Sequence, residues 1–499
     1  MLCLSLLMTV LDTTVVNVAL PTLSRELHPT PSALEWIVDS YTLLFAGLLL
    51  LGGAIGDRYG RHLTLPAGLL VFAGGSVAAA FCGTAGELIA ARAVMGAGAA
   101  LVMPATLSIL AGVFPNPAER AKAIGIWSAV SGLGIAIGPT FGGLLLERFS
   151  WSSIFLINLP VIAVALIAGR RLIPASRAPR PPRLDIPGAG LSVAGLSALT
   201  YTLIQAPDNG WTSATTVATG AVSLILLGAF AVVQLRSHEP MVDLRLFTNP
   251  RFAGASAGVM ALFFALTAAT FLLTQVYQSV LGLSPLQAGL RALPPALMVA
   301  MVSPIGARLA QETGPRAPIV AGLAIATGGL VVYAASTASS GYLHYMLAMS
   351  VIGTGIGLAM APATQSIMSS LPPAKAGVGS AINDTTRNLG SVLGVAVIGS
   401  IVASAYKTAL APTHIAPAIA HAAGRSVGAA TQIAHQLPSP IGHELATAAH
   451  HAFVHAADRG LLVAAAVTLA GVIVAARSLP GPARSIEPAT AQQAAHAGA

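Results

Sequence analysis

The chain has 499 residues, 55% of them hydrophobic and only 8% charged, with a net charge of +8 and a mean hydropathy of +0.78. A soluble globular chain carries roughly 25% charged residues, so this composition argues against a surface that faces water over most of its area. The positive balance follows alternate connections, as shown below, which points to membrane topology and away from nucleic acid, and Cys3 and Cys82 alone offer no disulfide framework.

Runs of about 20 mostly apolar residues, long enough to cross a bilayer as a helix, occur near 2–21, 33–55, 63–83, 86–113, 119–146, 152–171 and 186–206. A second set lies near 213–235, 251–276, 287–310, 317–338, 341–363, 376–405 and 459–478. These fourteen segments predict an all-α polytopic membrane protein with both termini on one face. The first run has no basic residue before it and contains Asp12, Thr13, Thr14 and Asn17, so it is read as a true span rather than a signal peptide.

Seventeen of the 25 Lys and Arg fall in one set of alternate connections and five in the other, with Arg92, Arg291 and Arg387 inside spans. The positive-inside rule then places both termini in the cytoplasm. Trp36, Trp151 and Trp211 each open a span at the opposite, outer face, as an interfacial belt requires.

Ionisable residues inside spans are costly and face a cavity or a partner. The candidates, in chain order, are Asp12, in "LDTTVVNVALP" (11–21); Asp39, in "WIVDSYTL" (36–43); Arg92, in "RAVMGAGAA" (92–100); and Asp384 with Arg387, in "NDTTRNLG" (383–390). Asp39 sits just past Trp36, so a wet outer vestibule competes with a substrate role, and Asp384–Arg387 can be read as a local ion pair at helical spacing. Arg291 lies near the start of its span and reads as a snorkelling side chain. "GGAIGDRYGRH" (52–62) makes a sharp turn between the second and third spans, with Gly56, Asp57, Arg58, Gly60 and Arg61 at fixed offsets, and a weaker echo with Gly314 occurs at 306–316. In "GLGIAIGPTFGG" (132–143), Gly134 and Gly138 are four apart and bare one helix face for close packing, Pro139 removes a backbone donor, and Gly142 and Gly143 complete the string.

The 52–62 string resembles motif A of the major facilitator superfamily, with His62 where the family usually has a second basic residue. The 132–143 string resembles motif C, which in that superfamily marks antiporters, and "RAVMGAGAA" resembles motif B, whose arginine is linked there to proton transfer. The strings at 11–21, 36–43, 154–160 ("IFLINLP") and 383–390 are similar to those of the fourteen-helix drug:proton antiporters.

The resemblance implies two six-helix bundles, at 1–171 and 251–480, with a linker at 172–250 that carries two extra spans and a cytoplasmic tail at 481–499. It implies a non-enzymatic, proton-coupled antiporter that exports organic, lipophilic and in part cationic compounds across the cytoplasmic membrane. The alternative is an exporter of an endogenous metabolite, lipid or self-made antibiotic by the same mechanism. Asp12, Asp39, Arg92, Asp384 and Arg387 would couple proton and substrate, the motif A residues would gate, and motif C would set the antiport mode. Expected partners are a small organic molecule, protons and the lipid bilayer, for a monomer that binds no nucleic acid. No cofactor and no metal are expected. The absence of a G-x-x-x-x-G-K-[ST] loop argues against ATP drive. The Ala- and His-rich stretch 406–458 reads as a long outer loop with amphipathic helices on the membrane surface, in preference to a metal site at His451 and His455.

Overall fold

The computed structural model describes residues 1–113, 117–173, 184–237, 240–370, 376–410, 419 and 422–480, without several side chains between 107 and 136, at 171–172 and at 376–381. The expected tail at 481–499 lies outside the described residues. Among those described there is no strand.

Helix α1 spans Leu2–Glu26, α2 Pro31–Tyr59, α3 Arg61–Ala80, α4 Ala85–Val113 and α5 Pro117–Arg148. α2 begins where the Thr30 hydroxyl accepts the Ala33 amide at 3.2 Å and Pro31 takes a first-turn position that needs no N–H donor. It ends at Gly60, whose φ of 103° favours a residue without Cβ. Gly314, at φ 80°, makes the corresponding turn in the second half, so the degenerate echo of the 52–62 string is structural as well.

Two expected spans are broken at prolines. The sixth is α6 (Ser153–Leu156) followed by α7 (Asn158–Leu172), with Pro160 in the first turn of α7 unable to bond back across the break. Helices α8 (Ile186–Asn209), α9 (Ala214–Arg236) and α10 (Pro250–Gln275) come next, and α10 runs on into a π-helical turn at Val276–Val280. The tenth expected span is split into α11 (Pro285–Arg291) and α12 (Leu293–Thr313), the latter opening on Pro294 and Pro295. The chain continues with α13 (Arg316–Ala334), α14 (Tyr342–Ser369), α15 (Ala376–Leu410), α16 (Val427–Gln436) and α17 (Ser439–Ser478).

Thirteen stretches among the described residues are long and apolar enough to cross a membrane. α5 stands at the place of the fifth expected span, with many of its side chains outside the described set. The last helix differs from expectation: it is 40 residues long and starts at Ser439, twenty residues before the expected span. α16 packs on α1, on the π turn and on α17, burying Val427 and Ala430. The described part of the outer stretch therefore lies on protein rather than on the membrane surface. Small residues permit this, since a Cβ at Gly442 of α17 would fall 2.3 Å from the Ala434 carbonyl of α16.

The pairing of helices repeats along the chain. α1 packs on α5, α2 on α4, and α3 on α4 and α7; likewise α10 packs on α15, α12 on α14, and α13 on α14 and α17. Across the seam between the two groups, α2 meets α15, α5 meets α11 and α12, and α1 meets α10. α8 packs on α9 and also on both α2 and α15. α9 buries only 11% of its most apolar stretch and exposes Val217, Leu224 and Ile225, as a lipid-facing helix does.

Candidate functional site

Asp12 and Arg92 meet in the interior of the first group. The Arg92 guanidinium donates from Nη1 to Asp12 Oδ2, and the two residues are 1% and 3% exposed for Arg92 and Asp12 respectively. Arg92 Nε donates to the Ile37 carbonyl of α2 at 3.2 Å, and its Cζ lies 4.3 Å from the centre of the Tyr41 ring. Gly96, one turn along α4, lets the helices come this close: a Cβ there would fall 2.2 Å from the Tyr41 carbonyl. The second oxygen of Asp12 accepts Asn158 Nδ2 at 3.4 Å, and Asn158 also donates to Ser76 Oγ at 3.0 Å, whose hydroxyl donates to the Phe155 carbonyl at 2.7 Å. Four helices thus hold one carboxylate. Buried charge is tolerable only when paired and hydrogen-bonded in this way.

Thr13, Thr14 and Asn17, other polar residues near Asp12 in the first run, face other work. Thr13 and Asn17 bond carbonyls of their own helix, and Thr14 packs on α5 at Gly138. A narrow crevice of about 50 Å³ runs between α1, α5, α6 and α7, lined by Leu4, Leu7, Leu11, Phe141, Ile154 and Val161, with Asp12 and Asn158 as its polar groups. Asn158 did not emerge from the sequence as a site residue, although the "IFLINLP" string contains it.

The other expected residues fall at three places. Asp384 and Arg387 pair within α15 at 3.5 Å, both half-buried, with the guanidinium 4.5 Å from the centre of the Phe263 ring of α10. Asp39 is 0% exposed, and neither of its carboxylate oxygens has a hydrogen-bond partner among the described residues. Glu35, one turn earlier on α2, is 2% exposed with Oε2 likewise unpartnered. Sequence reading passed over Glu35, which stands beside Trp36 at the start of its span. In the 52–62 turn, Arg61 Nη2 pairs with Asp57 at 2.8 Å and Nη1 donates to the Ser108 carbonyl of α4 at 3.1 Å, while Arg58 stays exposed. These contacts stay within the first group.

The glycines of α5 do what their spacing suggests. Gly134 and Gly142 receive Val10 and Val15 of α1. Gly143 crosses the seam, where a Cβ would fall 2.4 Å from the Pro285 carbonyl; Gly289 of α11 in turn sits against the Pro139 carbonyl, its Cβ position 2.2 Å away. The seam is also tied by Gln278 Nε2 donating to the Val18 carbonyl at 2.8 Å and by the Ser284 hydroxyl donating to the Glu147 carboxylate. All of these ties lie in the half toward the expected outer face.

A bundle of lipid-facing helices in two like-packed groups, with buried charge inside and a close glycine seam between, defines a multi-pass membrane transporter. The chain belongs to the Major Facilitator Superfamily, whose sequence profile matches residues 2–395. It is 36% identical over 409 residues to the multidrug resistance protein Stp of Mycobacterium tuberculosis, covering 82% of this chain and 76% of that one. It is 33% identical over 474 residues to the multidrug efflux pump LfrA of Mycolicibacterium smegmatis, covering 95% and 94%. With the methyl viologen resistance protein SmvA of Salmonella typhimurium it shares 34% over 448 residues, covering 89% and 90%. Among solved structures, a bacterial homologue of the human lysosomal transporter Spinster, in an inward-facing and occupied conformation, superposes with a TM-score of 0.66 over 96% of each chain; at 18% identity this is a likeness of fold.

Proposed function

We propose that the protein exports organic, lipophilic compounds, cationic ones among them, across the cytoplasmic membrane in exchange for protons. The observation that carries this reading is the Asp12–Arg92 pair, buried among four helices and bordering an apolar crevice. An intramembrane carboxylate so placed exchanges a proton for a cation, and the apolar walls suit a lipophilic body. The names of the relatives, which specify multidrug efflux and methyl viologen resistance, agree with such cargo.

The geometry supports a route for coupling. A proton on Asp12 removes the charge that holds Arg92. The same guanidinium is bonded to the backbone of α2, the helix that faces α15 across the seam. Protonation inside the first group is thereby felt at the seam. With the outer half of the seam tied and Asp57–Arg61 engaged only within the first group, this conformation is the one that accepts cargo from the inner face. Residues 1–171 and 251–480 are then the two rocking bundles, with 172–250 inserted between them, all within fourteen spans with cytoplasmic termini. Asp39, Asp384 and Arg387 line the coupling path, Gly56, Asp57, Arg58, Gly60 and Arg61 latch the inner face, and Gly134, Gly138, Pro139, Gly142 and Gly143 shape the outer closure. The test is transport in everted vesicles with an imposed proton gradient, alongside a resistance profile over cationic and neutral compounds in a hypersensitive host. Export that ignores an uncoupler, with no other ion gradient present, would make the protein a facilitator.

A further inference from the structure

Ser32, Glu35 and Asp39 follow one another at intervals of three and four residues on α2, so they share the face that meets α15 and α8. At its outer end this face is closed by a three-helix tie. The Ser32 hydroxyl donates to Asp208 of α8 at 2.8 Å and to the Ile204 carbonyl at 3.2 Å, and Lys407 of α15 pairs with the other oxygen of Asp208. Asp208 and Lys407 are about one-third exposed, so the tie borders solvent. Beneath it the Glu35 carboxyl is pressed against the backbone of α15. A Cβ at Gly399 would fall 2.4 Å from Glu35 Cδ and 2.6 and 2.8 Å from its two oxygens.

The charges around this place are already matched. Lys407 serves Asp208, and Arg92, which touches α2 at Ile37, serves Asp12. No cation among the described residues is left for Glu35 or Asp39. An uncompensated carboxylate taken out of water is strongly disfavoured, and two at one-turn spacing repel as well. The closed interface therefore tolerates these side chains as neutral acids.

We propose that Glu35, with Asp39 one turn deeper, is a proton-binding site built into the outer gate, so that α2 closes on α15 only after Glu35 has taken a proton from the outer side. This rests on the proton-antiport reading and adds to it a site distinct from Asp12–Arg92. When the tie opens, the Glu35 carboxylate meets outer water and accepts a proton from hydronium, leaving water; closure over Gly399 then seals the neutral acid. Gly399 is the seat that permits closure, and α8, one of the two inserted helices, supplies the outer bolt through Asp208.

The experiment measures the distance between spin labels on His28→Cys, in the turn that leads into α2, and Thr408→Cys, near the end of α15, in liposomes over a pH series with Cys3 and Cys82 replaced by Ser. Acid should populate the short, closed distance and alkali the long one. In Glu35→Gln one proton is no longer needed, so the midpoint should move to higher pH and the transition should become shallower. A wild-type midpoint and slope in that variant would overturn the proposal, as would a wild-type protein whose distance ignores pH. Gly399→Ala, which displaces the carboxyl and leaves every titratable group in place, should shift the midpoint to lower pH; an unchanged midpoint would also count against the site. Export measured in parallel separates the two readings: a pH-responsive gate with gradient-independent export would sink proton antiport alone.

Discussion

Asp12 and Arg92, 80 residues apart in sequence, close a buried ion pair between α1 and α4, and the same arginine reaches past it to the Ile37 carbonyl of α2. One side chain thereby joins the charged centre of the first group to the helix that forms the seam.

The first prediction concerns the carboxylate. Asp12→Asn keeps the shape and an oxygen that accepts from Arg92, so the protein should fold and insert at normal levels and lose proton-driven export, since an amide neither titrates nor carries charge. Asp12→Glu should retain part of the activity. Wild-type export by the Asn variant in vesicles at matched protein levels would make Asp12 a packing residue.

The arginine should behave differently in a thermal melt. Arg92→Ala strands a buried carboxylate and removes the contacts to Tyr41 and Ile37, a loss of about 3–5 kcal/mol by analogy with other broken buried pairs. Its melting temperature should fall well below that of Asp12→Asn. Equal stability of the two would show that the pair is not solvent-excluded in the membrane.

For the second group, Asp384 and Arg387 allow a decisive cycle. If the carboxylate only neutralises its neighbour, removing both charges restores the transport lost in each single variant. The double variant Asp384→Asn, Arg387→Gln is expected to remain inactive if Asp384, as proposed, also serves proton or cargo. Recovery of export in the double variant would assign it a structural role.

Closure at the seam can be tested at Gly143. In Gly143→Ala the new methyl meets the Pro285 backbone, which cannot rotate away. Overpacking of this kind costs about 1–3 kcal/mol, and on an open–closed equilibrium that is about a 5–150-fold shift toward the open outer face. A cysteine placed at Ser284 should then label faster from outside. Unchanged labelling with unchanged export would remove Gly143 from the closure.

Topology is checked by single cysteines at Arg180 and Ser439, which should label from opposite sides of the membrane. Labelling from the same side would overturn the fourteen-span reading; position 180 itself lies outside the described residues.

Most of the helices were legible because a bilayer imposes a length, and runs of about 20 apolar residues meet it. The glycine strings were legible because close approach needs bare faces at fixed intervals. What could not be read was pairing. Asn158 reaches Asp12 only through the fold, and the string that contains it gives no sign of which helix it faces. Glu35 went unread because burial by a second helix leaves no local mark in the sequence. The stretch from Ser439 to Asp458 hid for a related reason: its Ala and His residues are not apolar enough to announce a span, yet small enough to pack helix on helix.

That stretch has a mechanical consequence. Forty residues of α17 at about 1.5 Å each make a rod about 60 Å long, roughly twice the hydrocarbon thickness. Its lower part packs on α10, α13 and α15, and its upper part carries α16, which rests on α1 of the other group. Such a rod acts as a lever. A tilt of about 10° at its base sweeps the far end through roughly 5 Å over the 30 Å that extend past the lipid. If the second group rocks as proposed, its motion is amplified where α16 meets α1.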